Sequence, residues 1–173
     1  MAANQPTGIK LTWKKVAGAN GYIIYRNGIR IKTITSGTTV TFSDAKANTN
    51  GTKYTYKVVA KATTGTSTLS RSLTTYRVAR TAISSLASGS AGKMTVKWKR
   101  NSKANGYVVQ YSKSKTFSSG NKTATITKNT LLNKTIGSLT KGKKYYVRVR
   151  CFKTVSGKKY YSGWSAVKAV TIK

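Results

Sequence analysis

Ile9, Leu11 and Trp13 alternate with Lys10 and Thr12, and Met94, Val96 and Trp98 alternate with Thr95 and Lys97. Farther along, Tyr145, Val147, Val149 and Cys151 alternate with Tyr146, Arg148, Arg150 and Phe152. A period of two sends successive side chains to opposite faces, so each run predicts a strand with one buried face. Thr, Val, Ile and Tyr fill these runs, and branched or aromatic side chains suit a pleated surface. Asn27-Gly28 divides Tyr22–Arg26 from Ile29–Ile34 and supplies the two positive φ angles of a type I′ hairpin. Ser156-Gly157 predicts a second hairpin between Cys151-Phe152 and Tyr160-Tyr161. No stretch carries a helical period, and short strands with regular turns argue for antiparallel sandwiches.

The pattern occurs twice. Ala19-Asn20-Gly21-Tyr22 returns as Ala104-Asn105-Gly106-Tyr107, and Trp13 returns as Trp98, both at an offset of 85. Gly51-Thr52-Lys53-Tyr54 returns as Gly142-Lys143-Lys144-Tyr145 at an offset of 91, so the second copy holds about six extra residues between these anchors. A repeat of this length is a domain rather than a solenoid turn. The expected domains are residues 1–79 and 80–173. Only about eight residues precede the Ile9 strand, so the first strand of the first domain is expected to be short or missing.

Several of these residues also resemble tandem fibronectin type III domains of the bacterial cell-surface kind. They are the strand tryptophans Trp13 and Trp98, the openings Gly21-Tyr22 and Gly106-Tyr107, and the run Tyr145-x-Val147-x-Val149. Leu139, six residues before Tyr145, matches that family's tyrosine corner, and Gly163-Trp164-Ser165 matches the approach to its last strand. The first copy departs from the pattern, with Asn48 six residues before Tyr54 where Leu is usual. The resemblance implies an all-β fold of two immunoglobulin-like sandwiches, a secreted or cell-surface parent, and binding, spacing or adhesion rather than catalysis. The start, Met1 to Pro6, lacks the apolar stretch of a signal peptide, so a leader is expected outside this sequence.

Charge changes this picture more than any motif. The 173 residues hold 33 Lys and Arg, no His, and one acid, Asp44, for a formal charge of +32. An ordinary chain of this length would carry about 21 acids, so most of the imbalance comes from missing carboxylates. General acid–base catalysis, His-based triads, paired-carboxylate hydrolysis and metal coordination all lack their residues. Ser-x-x-Lys recurs seven times, which marks it as a product of composition, and in a strand its two ends face opposite ways. We therefore expect no enzyme and no cofactor. Asp44 precedes a turn and is expected to close it, or else to retain a Lys partner. Cys151, in the inward phase where the first copy has Ala60, is expected to be a small buried hydrophobe.

A surface nearly free of anions attracts polyanions, and binding releases their counterions. The expected partners are DNA or RNA, heparin-like glycans and anionic cell-wall polymers, with an anionic membrane surface also open and a monomer as the expected state. Tyr146, Arg148, Arg150 and Phe152 share the outward phase of one strand, with Lys153, Lys158 and Lys159 at the adjoining hairpin. Arg interleaved with aromatics suits phosphate pairing and base stacking, although cross-strand stabilisation explains the same stripe. Thr55, Lys57, Val59 and Lys61 form a weaker stripe in the first copy. Lys141, Lys143 and Lys144 form a second cluster, and Lys97, Lys99, Arg100 and Lys103 a third. Two other readings remain open at this point: a structural spacer or adhesion stalk, and an engineered supercharged scaffold for nucleic-acid delivery.

Like charges repel in a compact chain, and screening shortens from about 30 Å at 0.01 M salt to about 10 Å at 0.1 M. The melting temperature should therefore rise across that range, as calorimetry in a salt series would show. A melt indifferent to salt would contradict the repulsion.

Overall fold

A computed structural model describes residues 1–62, 64–66 and 72–173. The chain divides into two units, Met1–Arg77 and Val78–Lys173. In the first, β1 (Ala2–Asn4), β2 (Ile9–Thr12) and β5 (Thr41–Asp44) form one sheet, in the order β1-β2-β5. The other sheet holds β3 (Gly21–Arg26), β4 (Ile29–Ile34), β6 (Lys53–Ala62), β7 (Gly65–Thr66) and β8 (Leu73–Tyr76). Its order is β4-β3-β6, and both β7 and β8 pair with β6. The opening strand β1 is short but present, three residues antiparallel to β2.

The second unit repeats the plan. β9 (Ile83–Ala87), β10 (Met94–Trp98) and β13 (Asn133–Ile136) form the small sheet. The large sheet holds β11 (Gly106–Ser112), β12 (Lys122–Ile126), β14 (Lys144–Val155), β15 (Lys158–Tyr161) and β16 (Lys168–Thr171). Here β14 lies beside β11, and β15 and β16 are two pieces of one edge, both paired with β14. Inward residues of both sheets meet in one core, including Met94, Val96, Tyr107, Val109, Val147 and Val149, each fully buried. Each aliphatic side chain so buried contributes about 1.5–3 kcal/mol. The alternating runs read from the sequence are these strands, and their apolar phase is the core phase.

The repeated Gly-Tyr pair has a steric cause. A Cβ at Gly21 would collide with the carbonyl of Ile34, and one at Gly106 with that of Ile126. The tyrosine that follows is buried and fastens two loops. Tyr107 Oη accepts from the Asn101 amide at 3.0 Å and donates to the Asn129 carbonyl at 3.1 Å. Tyr22 Oη does the same between Val16 N and Gly37 O. Trp13 and Trp98 each pack 5.3 Å from these rings. Both predicted hairpins are present, with φ of 50° and 84° at Asn27-Gly28 and 46° and 75° at Ser156-Gly157.

The tyrosine corner forms in the second unit. Leu139 enters the core, and Tyr145 Oη accepts from the Thr140 amide at 3.3 Å. In the first unit Asn48 is exposed, and its neighbour Ala47 is the residue that is buried. Cys151 is fully buried, and burial raises its thiol pKa above the usual range. Its Sγ donates to the Ala79 carbonyl at 3.0 Å.

Asp44 closes its turn through its backbone carbonyl, which accepts from the Ala47 amide at 3.3 Å, while its side chain turns to an arginine rather than to the turn or a lysine. Its carboxylate is buried and accepts two bonds from Arg26 Nη1, both 3.0 Å, and one from Tyr56 Oη at 2.8 Å. Burial, and then the hydrogen bond to Asp44, pushes the Tyr56 phenol far above its ordinary pKa. Strand register shows what stands at these places in the other unit. Arg26 pairs Tyr56 where Tyr111 pairs Val147, and Ile9 pairs Asp44 where Met94 pairs Ile136. One unit thus holds Arg-Tyr-Asp where the other holds Tyr-Val-Ile.

Breaking a buried pair from one side costs about 3–5 kcal/mol, whereas replacing the whole group by apolar residues is often neutral. Asp44→Asn should destabilise the first unit by about 3 kcal/mol, the lower end, because the Arg26 side chain keeps 22% of its surface exposed. The triple change Arg26→Tyr, Asp44→Ile, Tyr56→Val should cost less than Asp44→Asn alone. Urea unfolding followed by hydrogen exchange in β2, β3 and β6 checks both.

Candidate polyanion-binding surface

The strand β14 sets the geometry. Val147, Val149 and Cys151 face the core, so Tyr146, Arg148, Arg150 and Phe152 take the outer phase as expected. Outer phase does not mean an open face here. Phe152 is only 2% exposed, which corrects its expected role as a stacking platform. Its ring lies over Gly106, packs 5.9 Å from Tyr161, and is capped by the Lys159 ammonium at 4.8 Å. In the first unit Val59 is likewise buried, leaving Thr55, Lys57 and Lys61 half-buried around it.

Arg148 and Arg150 are brought together by a residue the sequence reading did not place beside them. The Trp164 ring lies 4.5 Å from the guanidinium carbon of each. Arg148 also covers Phe117 at 4.1 Å, and Arg150 covers Tyr161 at 4.0 Å. Arg148 Nε donates to Gln110 Oε1 at 2.7 Å, while Arg150 Nε is buried without a hydrogen-bond partner among the described residues. A cation over an aromatic face gains about 0.5–2 kcal/mol, more as water leaves. Burial lowers the pKa of both arginines, and Arg150 lowers that of Arg148 further.

The break in the edge strand explains how Trp164 reaches this face. Between β15 and β16, Ser162 and Ser165 act as substitutes for ladder residues. Their amides donate to the carbonyls of Cys151 and Val149, at 2.9 and 2.8 Å. Their hydroxyls accept from the amides of the same two residues, both at 3.0 Å. β14 therefore keeps its hydrogen bonds while the segment between the serines leaves the strand path. Gly163 and Trp164 occupy that segment, and the indole lies across the arginines.

The lysine clusters sort to the two ends of the second unit. Lys153 is half-buried, and Lys158 and Lys159 are exposed at the β14–β15 hairpin. Lys97, Lys99, Arg100 and Lys103 are exposed at the end of β10 and in the loop that follows. Asn105 ties that loop to β14, with its amide on Phe152 O and its Oδ1 accepting from Thr154 N, both 2.8 Å. These two clusters thus share one end. Lys141, Lys143 and Lys144 are exposed at the opposite end, where β14 begins.

Each unit sets a three-stranded sheet against a larger one whose edge runs in two pieces. Both units have the fibronectin type III fold. No family model and no curated protein matches the chain. Among solved structures it is similar to the chicken CNTN1 FN1–FN3 domains and to a two-domain fibronectin type III segment of chicken tenascin. Each is 19% identical with a TM-score of 0.48 over 99% of this chain, which spans 65% of the CNTN1 chain and 96% of the tenascin one. The strand order, rather than these alignments, carries the fold.

With Arg148 and Arg150 stacked on internal rings, their first role is to hold the sheet face. Trp164→Ala should destabilise the second unit by about 3 kcal/mol, the low end for Trp→Ala because the ring is half-exposed. Arg148→Met should lower stability too, yet weaken DNA binding no more than one exposed lysine such as Lys158→Gln does. Denaturant unfolding and fluorescence polarisation with labelled DNA check the pair.

Proposed function

We propose that this chain is a non-enzymatic cationic module that binds polyanions, including nucleic acid, sulfated glycans and anionic wall polymers. One observation carries the reading. Asp44, the single side-chain carboxylate, is buried and bonded to Arg26 and Tyr56, so it neutralises none of the exposed lysines. The remaining surface charge is uncompensated by other side chains. Such a surface concentrates anionic polymers and is screened by salt. The lysine clusters at both ends, rather than the arginine stripe, supply the contacts. The tandem fold favours a second reading, a spacer or adhesion stalk at the cell surface whose charge serves solubility or attraction to the wall.

Labelled duplex DNA and heparin, titrated across roughly 50–300 mM salt, separate the two. Log affinity should fall linearly with log salt, with a slope of several units, since each neutralised phosphate contributes about 0.9. Failure to bind either polymer at 50 mM would favour the spacer.

A further inference from the structure

The second unit holds a cleft of about 330 Å³ at the end of the sandwich away from the β14–β15 hairpin. It is bounded by the 113–121 loop between β11 and β12, and by 138–140 before β14. Lys113 and Lys122 line it, with Tyr111, Tyr145, Ser119 and Thr140. Neither lysine belongs to the clusters at 97–103, 141–144 or 153–159.

Lys113 Nζ donates to Thr140 Oγ1 at 3.2 Å and stands 5.8 Å from the Tyr145 ring. Tyr145 Oη, in turn, lies 3.4 Å from the same Thr140 hydroxyl. Against the opposing effect of burial, the Thr140 hydrogen bonds and the fields of Lys113 and Lys122 bring the Tyr145 phenol below its usual pKa. Lys113 and Lys122 thus line the same cleft as Thr140 and Tyr145, and no carboxylate lines it. Two cations, several hydroxyls and aromatic walls in one concave site complement an anionic group attached to a polar, ring-bearing body.

The loop that makes the cleft is additional to the common plan. Asn27-Gly28 joins β3 to β4 in the first unit, whereas 113–121 joins β11 to β12. This longer connection, nine residues against two, more than accounts for the change in repeat offset from 85 to 91. It is internally fastened: Ser112 Oγ donates to Ser119 O at 2.7 Å, and Asn121 Nδ2 donates to Phe117 O at 2.7 Å. Phe117 has a positive φ of 57°, uncommon for a bulky residue, and its buried ring lies under Arg148. The arginine ladder thus anchors the loop that carries Lys113.

We infer that the Lys113–Lys122 cleft is a local binding site for the sulfate or phosphate ester of a saccharide. The inference rests on the polyanion reading and gives it one defined subsite. Glucose 6-sulfate and glucose 6-phosphate, titrated at 0.15 M salt and followed by amide NMR, identify which ester is preferred. One or both should saturate with shifts centred on Gly120, Thr140 and Tyr145. Lys113→Gln with Lys122→Gln should weaken that binding at least tenfold. Lys99→Gln with Lys103→Gln, which removes equal charge from the other end, should change it less than twofold.

Equal weakening by both pairs would overturn the site in favour of diffuse charge. Equal affinity for inorganic phosphate or sulfate would overturn the saccharide assignment, as would tighter binding of a short DNA oligonucleotide at the same amides. Heparin binding in the first titration series keeps the two hypotheses apart. If heparin binds and neither sugar ester saturates, the cleft assignment alone fails. If heparin and DNA both fail to bind, the polyanion reading fails with it.

Discussion

A guanidinium resting on its own protein's aromatic rings is the contact on which the second unit is organised. The chain has 33 cations and one carboxylate, so ion pairing is closed to nearly all of them. Most lysines solve this by staying in water. Arg148 and Arg150 sit half-buried at the centre of a strand, and π-faces are the negative surfaces within reach. The arrangement needs Trp164 to lie across the strand, which in turn needs a break in the edge. That break is tolerated because Ser162 and Ser165 replace backbone partners with hydroxyls. The ladder also covers Phe117, and through it the 113–121 loop. One interaction type thus links sheet edge, sheet face and loop.

The first unit shows the other solution. It keeps a carboxylate, and that carboxylate sits where the second unit places Ile136. A buried aspartate is costly without partners, and this one has a guanidinium and a phenol. Arg26 and Tyr56 make Asp44 hard to lose singly, because its removal leaves a desolvated guanidinium facing a phenol. The second unit, with Tyr111, Val147 and Ile136 at the matching register, has no such dependence. The one acidic side chain is therefore tied into the packing of the first unit. Arg77 follows a third route, buried with its guanidinium on the carbonyls of Gln5 and Pro6 at 3.1 and 3.0 Å.

Much of the fold was legible because it rests on local rules. Alternation gave the faces of β2, β10 and β14, and Asn27-Gly28 gave a hairpin that positive φ requires. The Gly-Tyr repeats marked a backbone contact too close for a side chain. The functional surface was less legible, since phase tells which way a side chain points and not what lies over it. Phe152 has the outward phase and is covered by Tyr161 and Lys159 from the next strand. Trp164 is far enough from Arg148 in sequence that only the strand break brings them together. The cleft did leave a trace, in the shift of offset between the repeats, but an offset gives the length of an insertion and not its shape.

Uniform charge and a local site act on an anion in different ways. At 0.15 M salt the field of one exposed lysine decays over about 8 Å. A cluster on a convex end therefore attracts a polymer without fixing its orientation. Lys113 is held differently, by Thr140 on one side and the Tyr145 ring on the other. Concave walls exclude part of the screening water and strengthen the field between them. Diffuse lysines would set the rate and salt dependence of capture, whereas a lysine held in place beside a second cation would set which chemical group is retained. That division accounts for lysines spread over both ends, with the inserted loop shaping a concave site around two of them.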